Sequence, residues 1–289
     1  MNRWITGARP RTLPAAVVPV AVGAACAVGV SAGGIVWWRV AAALVVSLAL
    51  QIGVNYANDY SDGIRGTDDV RVGPTRLVAS GLAAPSAVKR AAMLSFAAAA
   101  VAGLAIALDT SWWLLAVGAA AIAAGWFYTG GPKPYGYLGL GELFVFVFFG
   151  LVATAGTTFA AVEDVTASSI WMGVAVGSLA CALLVINNLR DIPTDREVGK
   201  RTLAVRLGDR RTRWLYTALI AAAFVVVPIV SIDRPWALLG LLALPAAVGP
   251  VRSVLSGASG GALIAVLSAT GRVQLVFGAF AAIGLAISG

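Results

Sequence analysis

The chain has 289 residues, 60% of them hydrophobic and only 12% charged, with a mean hydropathy of +0.88. A soluble domain has no way to cover that much apolar surface, so the composition excludes a soluble globular protein and indicates a polytopic membrane protein. The net charge of +8 comes with no basic tract interleaved with aromatics, and it reads as membrane orientation rather than nucleic-acid binding. Histidine is absent altogether, which removes the usual zinc ligand and the usual general base. Cys26 and Cys181 each fall in an apolar run and make no disulfide framework.

Arg3, Arg9 and Arg11 precede the first apolar run, which has no small-residue cleavage site and is expected to be retained. A helix needs about 20 apolar residues to cross the hydrocarbon. On that rule nine spans are expected, near 13–31, 36–58, 87–108, 111–128, 138–161, 169–189, 213–231, 235–251 and 271–288. The Gly- and Ser-rich stretch from Ser253 to Thr270 is expected to be an interfacial or re-entrant segment. The expectation is therefore an all-α membrane protein, residues 1–289 forming one domain. Trp37, Trp38, Trp112, Trp113 and Trp171 lie at span ends, as an interfacial belt would.

With the N-terminus inside, this span count leaves only Arg39 and Arg234 of the 21 basic residues outside. The positive-inside rule then puts both acidic clusters described next, and Lys133, on the cytoplasmic face.

The first cluster, NYANDYSDGIRGTDD from Asn55 to Asp69, ends the second span. Asn55, Asn58, Asp59 and Asp62 follow i, i+3, i+4, i+7 and share one helical stripe. Asp68 and Asp69 come after Gly63 and Gly66, in a loop that must turn, and Arg76 follows Pro74. The second cluster, NNLRDIPTDREVGKRTLAVRLG from Asn187 to Gly208, ends the sixth span. Asp191 and Asp195, four apart, share a face if that helix continues so far, and Arg190, Arg196, Lys200 and Arg201 surround them. Carboxylates at helix C-termini face the negative end of the helix dipole and need a compensating cation. All-oxygen ligands suit Mg²⁺ rather than zinc.

Between the fourth and fifth spans, Gly130, Gly131, Pro132 and Pro134 force a compact loop that presents Tyr128, Lys133, Tyr135 and Tyr137. Glu142, just inside the fifth span, either lines a cavity or reaches back to the interface. Acids and cations at a membrane mouth suit a substrate with a phosphate head and an apolar tail. Such a site assists departure of diphosphate, and an apolar bundle shields the allylic cation left behind until an electron-rich ring attacks it.

These two motifs closely resemble the aspartate-rich motifs of the UbiA-type intramembrane prenyltransferases. RPRTLPAAVVPV, YTGGPKPYGYLGLGELFVFVFFG and the whole second motif resemble the branch that acts on 1,4-dihydroxy-2-naphthoate in menaquinone biosynthesis. The likeness runs from about residue 9 to 208 in its motifs. It implies a nine-helix UbiA-type bundle with its active-site cavity on the cytoplasmic side of a bacterial cell membrane. It implies Mg²⁺ and two substrates, a polyprenyl diphosphate and 1,4-dihydroxy-2-naphthoate, with loss of diphosphate and CO₂. By the same resemblance Asn58, Asp59, Asp62 and Asp68 bind Mg²⁺-diphosphate from one side, and Asn188, Asp191 and Asp195 from the other. Lys133 and Arg190 contact the diphosphate, joined by Arg76, Arg196, Lys200, Arg201 and Tyr128. Where many members of the superfamily carry a third acid, this chain has Gly66, and its acid comes at Asp68, as in the naphthoate branch.

Three rival readings are weaker. A 4-hydroxybenzoate acceptor sits poorly with Gly66. A CDP-alcohol phosphotransferase would need a long acidic motif within one segment, which is absent. A secondary transporter would place its acids near mid-membrane on broken helices.

Overall fold

The computed structural model describes residues 2–67 and 75–289. Among them there is no strand, and seven of the nine expected apolar runs become helices of membrane-crossing length, the other two forming shorter helices. A short helix, α1 (Arg3–Ala8), is followed by α2 (Pro14–Cys26), α3 (Trp37–Ile64), α4 (Pro85–Asp109) and α5 (Trp113–Phe127). Then come α6 (Gly141–Val162), α7 (Ala167–Glu197), α8 (Leu203–Val230), α9 (Pro235–Leu255) and α10 (Ala262–Ile287). Seven of these, α3, α4 and α6 to α10, are long and apolar enough to span a membrane, whereas α2 and α5 are shorter apolar helices.

Successive helices run in opposite directions, which sorts the loops onto two faces. On one face Arg9 donates to the Asn55 carbonyl, Arg65 donates to the Thr129 and Gly131 carbonyls, and Arg213 donates to the Val254 and Ala258 carbonyls. On the other, Val36 N donates to the Ala161 carbonyl and Arg39 bridges Asp109 (2.7 Å) and Glu163 (2.8 Å). Arg234 reaches the Val28 carbonyl there too. Arg39 and Arg234 thus share the face opposite the aspartates, as the charge count requires. Trp37, Trp38, Trp112, Trp113 and Trp171 begin α3, α5 and α7 at that same far face and are exposed.

Two elements differ from the sequence-based expectation. The stretch 253–270 is not re-entrant. Its glycine-rich middle, residues 256–261, is the turn, and the apolar residues after it form the first turns of α10. Ser268 and Thr270 do not break that helix because their hydroxyls donate to the Ile264 and Val266 carbonyls one turn back. The basic stretch after Asn187 is also more helical than a loop. The helix α7 continues to Glu197, and α8 starts at Leu203, with Gly208 (φ 75°) kinking it where the polar and apolar segments meet.

The packing divides around α3 and α7. One apolar core joins α2 with α7, α8, α9 and α10, and a smaller one joins α3 and α4 around Tyr56, Leu77 and Phe96. Small residues set the close approaches, as is usual where lipid supplies no hydrophobic drive between helices. A Cβ on Gly150 of α6 would lie 2.5 Å from the Gly177 Cα of α7, so both positions must lack side chains. That approach falls within a π-helical stretch of α6, Phe146–Val152, whose wider turn directs Phe148, Phe149 and Val152 toward the cavity described below.

Gly177→Leu is therefore expected to destabilise the bundle by about 1–3 kcal/mol through overpacking. Gly249→Ala, which meets open space, is expected to leave stability unchanged or raise it slightly. Thermal unfolding of both variants in detergent checks the contrast, and equal melting temperatures would contradict the close α6–α7 contact.

Candidate active site

The aspartates gather because α3 and α7 both end on the same face and both carry their polar stripe inward. On α3 the stripe is longer than the first motif. Gln51, Asn55, Asn58 and Asp62 all line one cavity of about 730 Å³. The wall deeper in the bundle is apolar, contributed by Val46, Leu50, Val117, Phe144, Phe148 and Leu184 among others. The polar mouth is completed from α7 by Asn188, Asp191 and Asp195, and from the following turn by Lys200.

At the mouth, Asp62 is the hub. Its Oδ1 accepts from the Tyr137 hydroxyl at 2.6 Å and from Lys200 Nζ at 3.2 Å, and Lys200 also stands 4.7 Å from the Tyr137 ring centroid. Both Asp62 and Lys200 are buried, so each charge depends on the other and on the phenol for its solvation. The Lys200 amide donates to the Asp195 carbonyl (2.8 Å), and the Arg201 amide donates to the Tyr137 carbonyl (3.0 Å), which ties the α7–α8 turn to the α5–α6 loop. Arg190 clasps Asp191 with two hydrogen bonds, at 2.7 and 2.8 Å. Asn58 accepts from Thr129 (2.8 Å), and Asn188 donates to Glu142 (2.9 Å). Glu142 is therefore drawn inward to hold Asn188 rather than out to the interface.

Burial pushes the Tyr137 phenol up, and the Asp62 charge adds to this while Lys200 partly offsets it. Burial pushes the Tyr128 phenol well up, reinforced by the charge of Glu142. The Tyr137 phenol stays protonated at neutral pH and donates to Asp62.

Not every expected residue reaches the cavity. Asn58, Asp62, Arg76, Tyr128, Asn188, Asp191, Asp195 and Lys200 line it. Asp59, expected among metal ligands, points away: its two oxygens accept from the Leu77 and Val78 amides at 2.8 and 2.9 Å, and it is fully buried. The reason is helical phase, since Asp59 is one residue round from the Asn58–Asp62 edge of the stripe. Lys133, Arg196 and Arg201 are exposed and outside the lining, and Arg190 acts on the cavity through Asp191. Asp68 lies outside the described residues.

A second polar patch was missed. Thr12, Gln51 and Asn55 form a buried network, with Gln51 donating to Thr12 (3.1 Å) and Asn55 donating to Thr12 (3.0 Å) and to the Ala8 carbonyl (2.9 Å). Arg9 and Thr12 line the same cavity. Continuing the i, i+4 stripe one turn upstream of Asn55 would have found Gln51. Tyr137 and Thr129 carried no spacing signal, because a loop rather than a helix delivers them.

The donors facing the mouth are all oxygens, two amides and three carboxylates, a set suited to a hard divalent cation. Among the described residues no group of three carboxylates stands close enough to hold an ion alone. That fits Mg²⁺, which is typically held by one or two carboxylates together with substrate phosphates and water.

An apolar cavity with an acidic, lysine-bearing mouth, set among helices of membrane-crossing length, suits an amphipathic ligand with a charged head. The chain belongs to the UbiA prenyltransferase family, whose model matches residues 16–259. It is accordingly a multi-pass membrane protein. It is 54% identical over 275 residues to 1,4-dihydroxy-2-naphthoate octaprenyltransferase of Mycobacterium tuberculosis, covering 95% of this chain and 94% of that one. It is 36% identical to the protein of the same name from Escherichia coli, covering 87% and 84%. Among solved structures it resembles a UbiA homolog from Aeropyrum pernix K1, with a TM-score of 0.70 at 16% identity over 93% of this chain and 96% of that one. A UbiA homolog from Archaeoglobus fulgidus bound to GPP and Mg²⁺ gives a TM-score of 0.62 at 15% identity, over 99% and 100%.

The geometry separates the two adjacent aspartates of the first motif. Asp59→Asn is expected to lower the melting temperature, losing part of a charge-assisted anchor worth about 1.5–3 kcal/mol. Asp62→Asn is expected to weaken Mg²⁺-dependent binding of geranyl diphosphate at least tenfold. Calorimetric titration beside thermal melts checks this, and the reverse pattern would contradict the placement of Asp59.

Proposed function

We propose that this protein transfers a polyprenyl chain from polyprenyl diphosphate to 1,4-dihydroxy-2-naphthoate, releasing diphosphate and CO₂ and giving demethylmenaquinol, the reduced form of demethylmenaquinone. The observation that carries the reading is the convergence of two aspartate-bearing helix ends on one mouth, above an apolar cavity. The names of the mycobacterial and enteric relatives support the acceptor. The reading takes nine membrane crossings, counting the shorter α2 and α5, in a bacterial cell membrane, and the distribution of basic residues supports a mouth that faces the cytoplasm.

Asn58, Asp62, Asn188, Asp191 and Asp195 would hold Mg²⁺ together with the diphosphate. When bound, the ion supplies charge neutralisation on the departing diphosphate. Lys200 and Arg76 add positive charge at the same mouth, and Arg190 fixes the Asp191 carboxylate in orientation. Tyr137 donates to Asp62 and holds it toward Lys200. The apolar wall receives the prenyl tail and excludes water from the allylic cation, which water would otherwise capture. The network of Thr12, Gln51 and Asn55, with Arg9 beside it, offers donors and acceptors for the hydroxyl and carboxylate groups of the acceptor. Lys133, Arg196 and Arg201, exposed at the rim, act on the approach of the anionic substrate rather than on its bound form.

The test is a membrane assay with labelled farnesyl or longer polyprenyl diphosphate, Mg²⁺, and 1,4-dihydroxy-2-naphthoate competing with 4-hydroxybenzoate. A decarboxylated prenyl-naphthohydroquinone is expected, isolated as its quinone after oxidation in air, and EDTA is expected to abolish it. Prenylation of hydroxybenzoate alone would move the chain to another branch of the family. Asp191→Asn is expected to lower turnover at least a hundredfold, about 2.7 kcal/mol of transition-state stabilisation. A folded variant with near-normal turnover would sink the metal assignment.

A further inference from the structure

A second crevice, about 520 Å³ in volume, lies where the chain entering α2 crosses α10, and it shares Pro10 and Arg11 with the lining of the central cavity. Pro10, Arg11, Pro14, Ser268, Arg272 and Leu275 line it. Neither arginine belongs to the aspartate-rich motifs. From this crevice we infer a binding site for an anionic glycerophospholipid of the surrounding bilayer, its phosphodiester held between Arg11 and Arg272.

Three observations carry the assignment. The first is charge: two guanidiniums, both exposed, share a crevice whose lining, among the described residues, contains no acidic residue. A phosphodiester accepts from such planar donors in bidentate fashion. The second is depth. About 22 Å of helix separates Arg272 from Ile287 at the far end of α10, against a hydrocarbon thickness of roughly 30 Å. A snorkelling arginine therefore delivers its head to the level of lipid phosphates. The third is continuity. Below the arginines an exposed apolar track runs down both helices, through Val17 and Ala21 on α2 and Leu275, Ala279 and Ile283 on α10. The seam between them is tight, since a Cβ on Gly278 would come within 2.5 Å of Val18. An acyl chain can lie along that seam while its phosphate occupies the crevice.

The site is built rather than incidental to a flexible tail. Arg11 sits in a single 3₁₀ turn, Pro10–Thr12, bracketed by Pro10 and Pro14, and its carbonyl lies 3.7 Å from where a Cβ on Gly271 would stand. Arg272 is the next residue along α10. The polyprenyl diphosphate is the poorer occupant. It carries more negative charge than two arginines balance, and the crevice offers no carboxylate through which a divalent ion could share it.

The full-length protein, purified in mild detergent, is incubated with phosphatidylglycerol or with phosphatidylcholine of matched acyl chains and examined by native mass spectrometry. One retained phosphatidylglycerol is expected, with phosphatidylcholine at least tenfold weaker. Arg272→Gln is expected to cut that retention at least fivefold, and Arg272→Lys to keep most of it. Ser268→Glu, which leaves both arginines in place, is expected to abolish it. Should Arg272→Gln fail to fold, the Ser268→Glu and Arg272→Lys pair decides alone. Equal retention of the two lipids, or undiminished retention in Ser268→Glu, overturns the proposal. So does stoichiometric displacement of phosphatidylglycerol by geranyl diphosphate, which would assign the crevice to the prenyl substrate.

Discussion

Asp62 is held at the carbonyl end of α3, in a buried position, by a lysine and a phenol delivered from two other parts of the chain. Without them its charge would face the negative end of a helix dipole in a low dielectric, and the helix end would be untenable. Because Tyr137 comes from the α5–α6 loop and Lys200 from the α7–α8 turn, satisfying this one carboxylate fixes the relative positions of three segments distant in sequence. The Arg201–Tyr137 backbone bond adds a second tie between the same two loops. The mouth is therefore a consequence of electrostatic necessity as much as of helix packing.

The α7 aspartates begin from a local contact. Asp191 is clasped by Arg190, its neighbour in sequence, through two hydrogen bonds. Pro193, one turn before the end of α7, has no amide to donate, and the helix nonetheless continues to Glu197. Asn188 on the same helix reaches Glu142 of α6, so this half of the mouth is tied to its neighbours as well.

Much of the architecture was legible in the chain because a membrane imposes strong rules. Apolar runs of sufficient length became helices, and the basic residues sorted Arg39 and Arg234 onto the face opposite the aspartates. The site was most legible where a helix carried it: spacing put Asn58 and Asp62 on one stripe and Asp191 and Asp195 on one face, and the family resemblance added Asn188. It was illegible where adjacent residues diverge by a hundred degrees around a helix. Asn58 faces the cavity and Asp59 faces Leu77 and Val78, a difference that a motif written as a string conceals. Lys133 and Lys200 show the same limit for loops, since either lysine could serve an anionic head group and only the folded turn places Lys200 beside Asp62.

The same physics explains why the 253–270 segment misled. Glycine and serine read as turn signals in water, where an exposed polar side chain competes for the backbone. In an apolar setting the cheapest partner for a serine or threonine hydroxyl is the carbonyl one turn back, so Ser268 and Thr270 stay within α10 and only the true glycine cluster turns. That choice has a structural consequence. By extending α10 upward past Arg272, it brings the arginine level with the entry to α2, and places two cations that are distant in sequence at one depth beside the lipid. Had the helix begun near Gly271, as composition alone suggested, Arg272 would cap a helix start, where the positive end of the dipole disfavours it. Set about two-fifths of the way along a continuous helix, it is free of that penalty and turned outward, so its charge must be met by water or by a lipid phosphate.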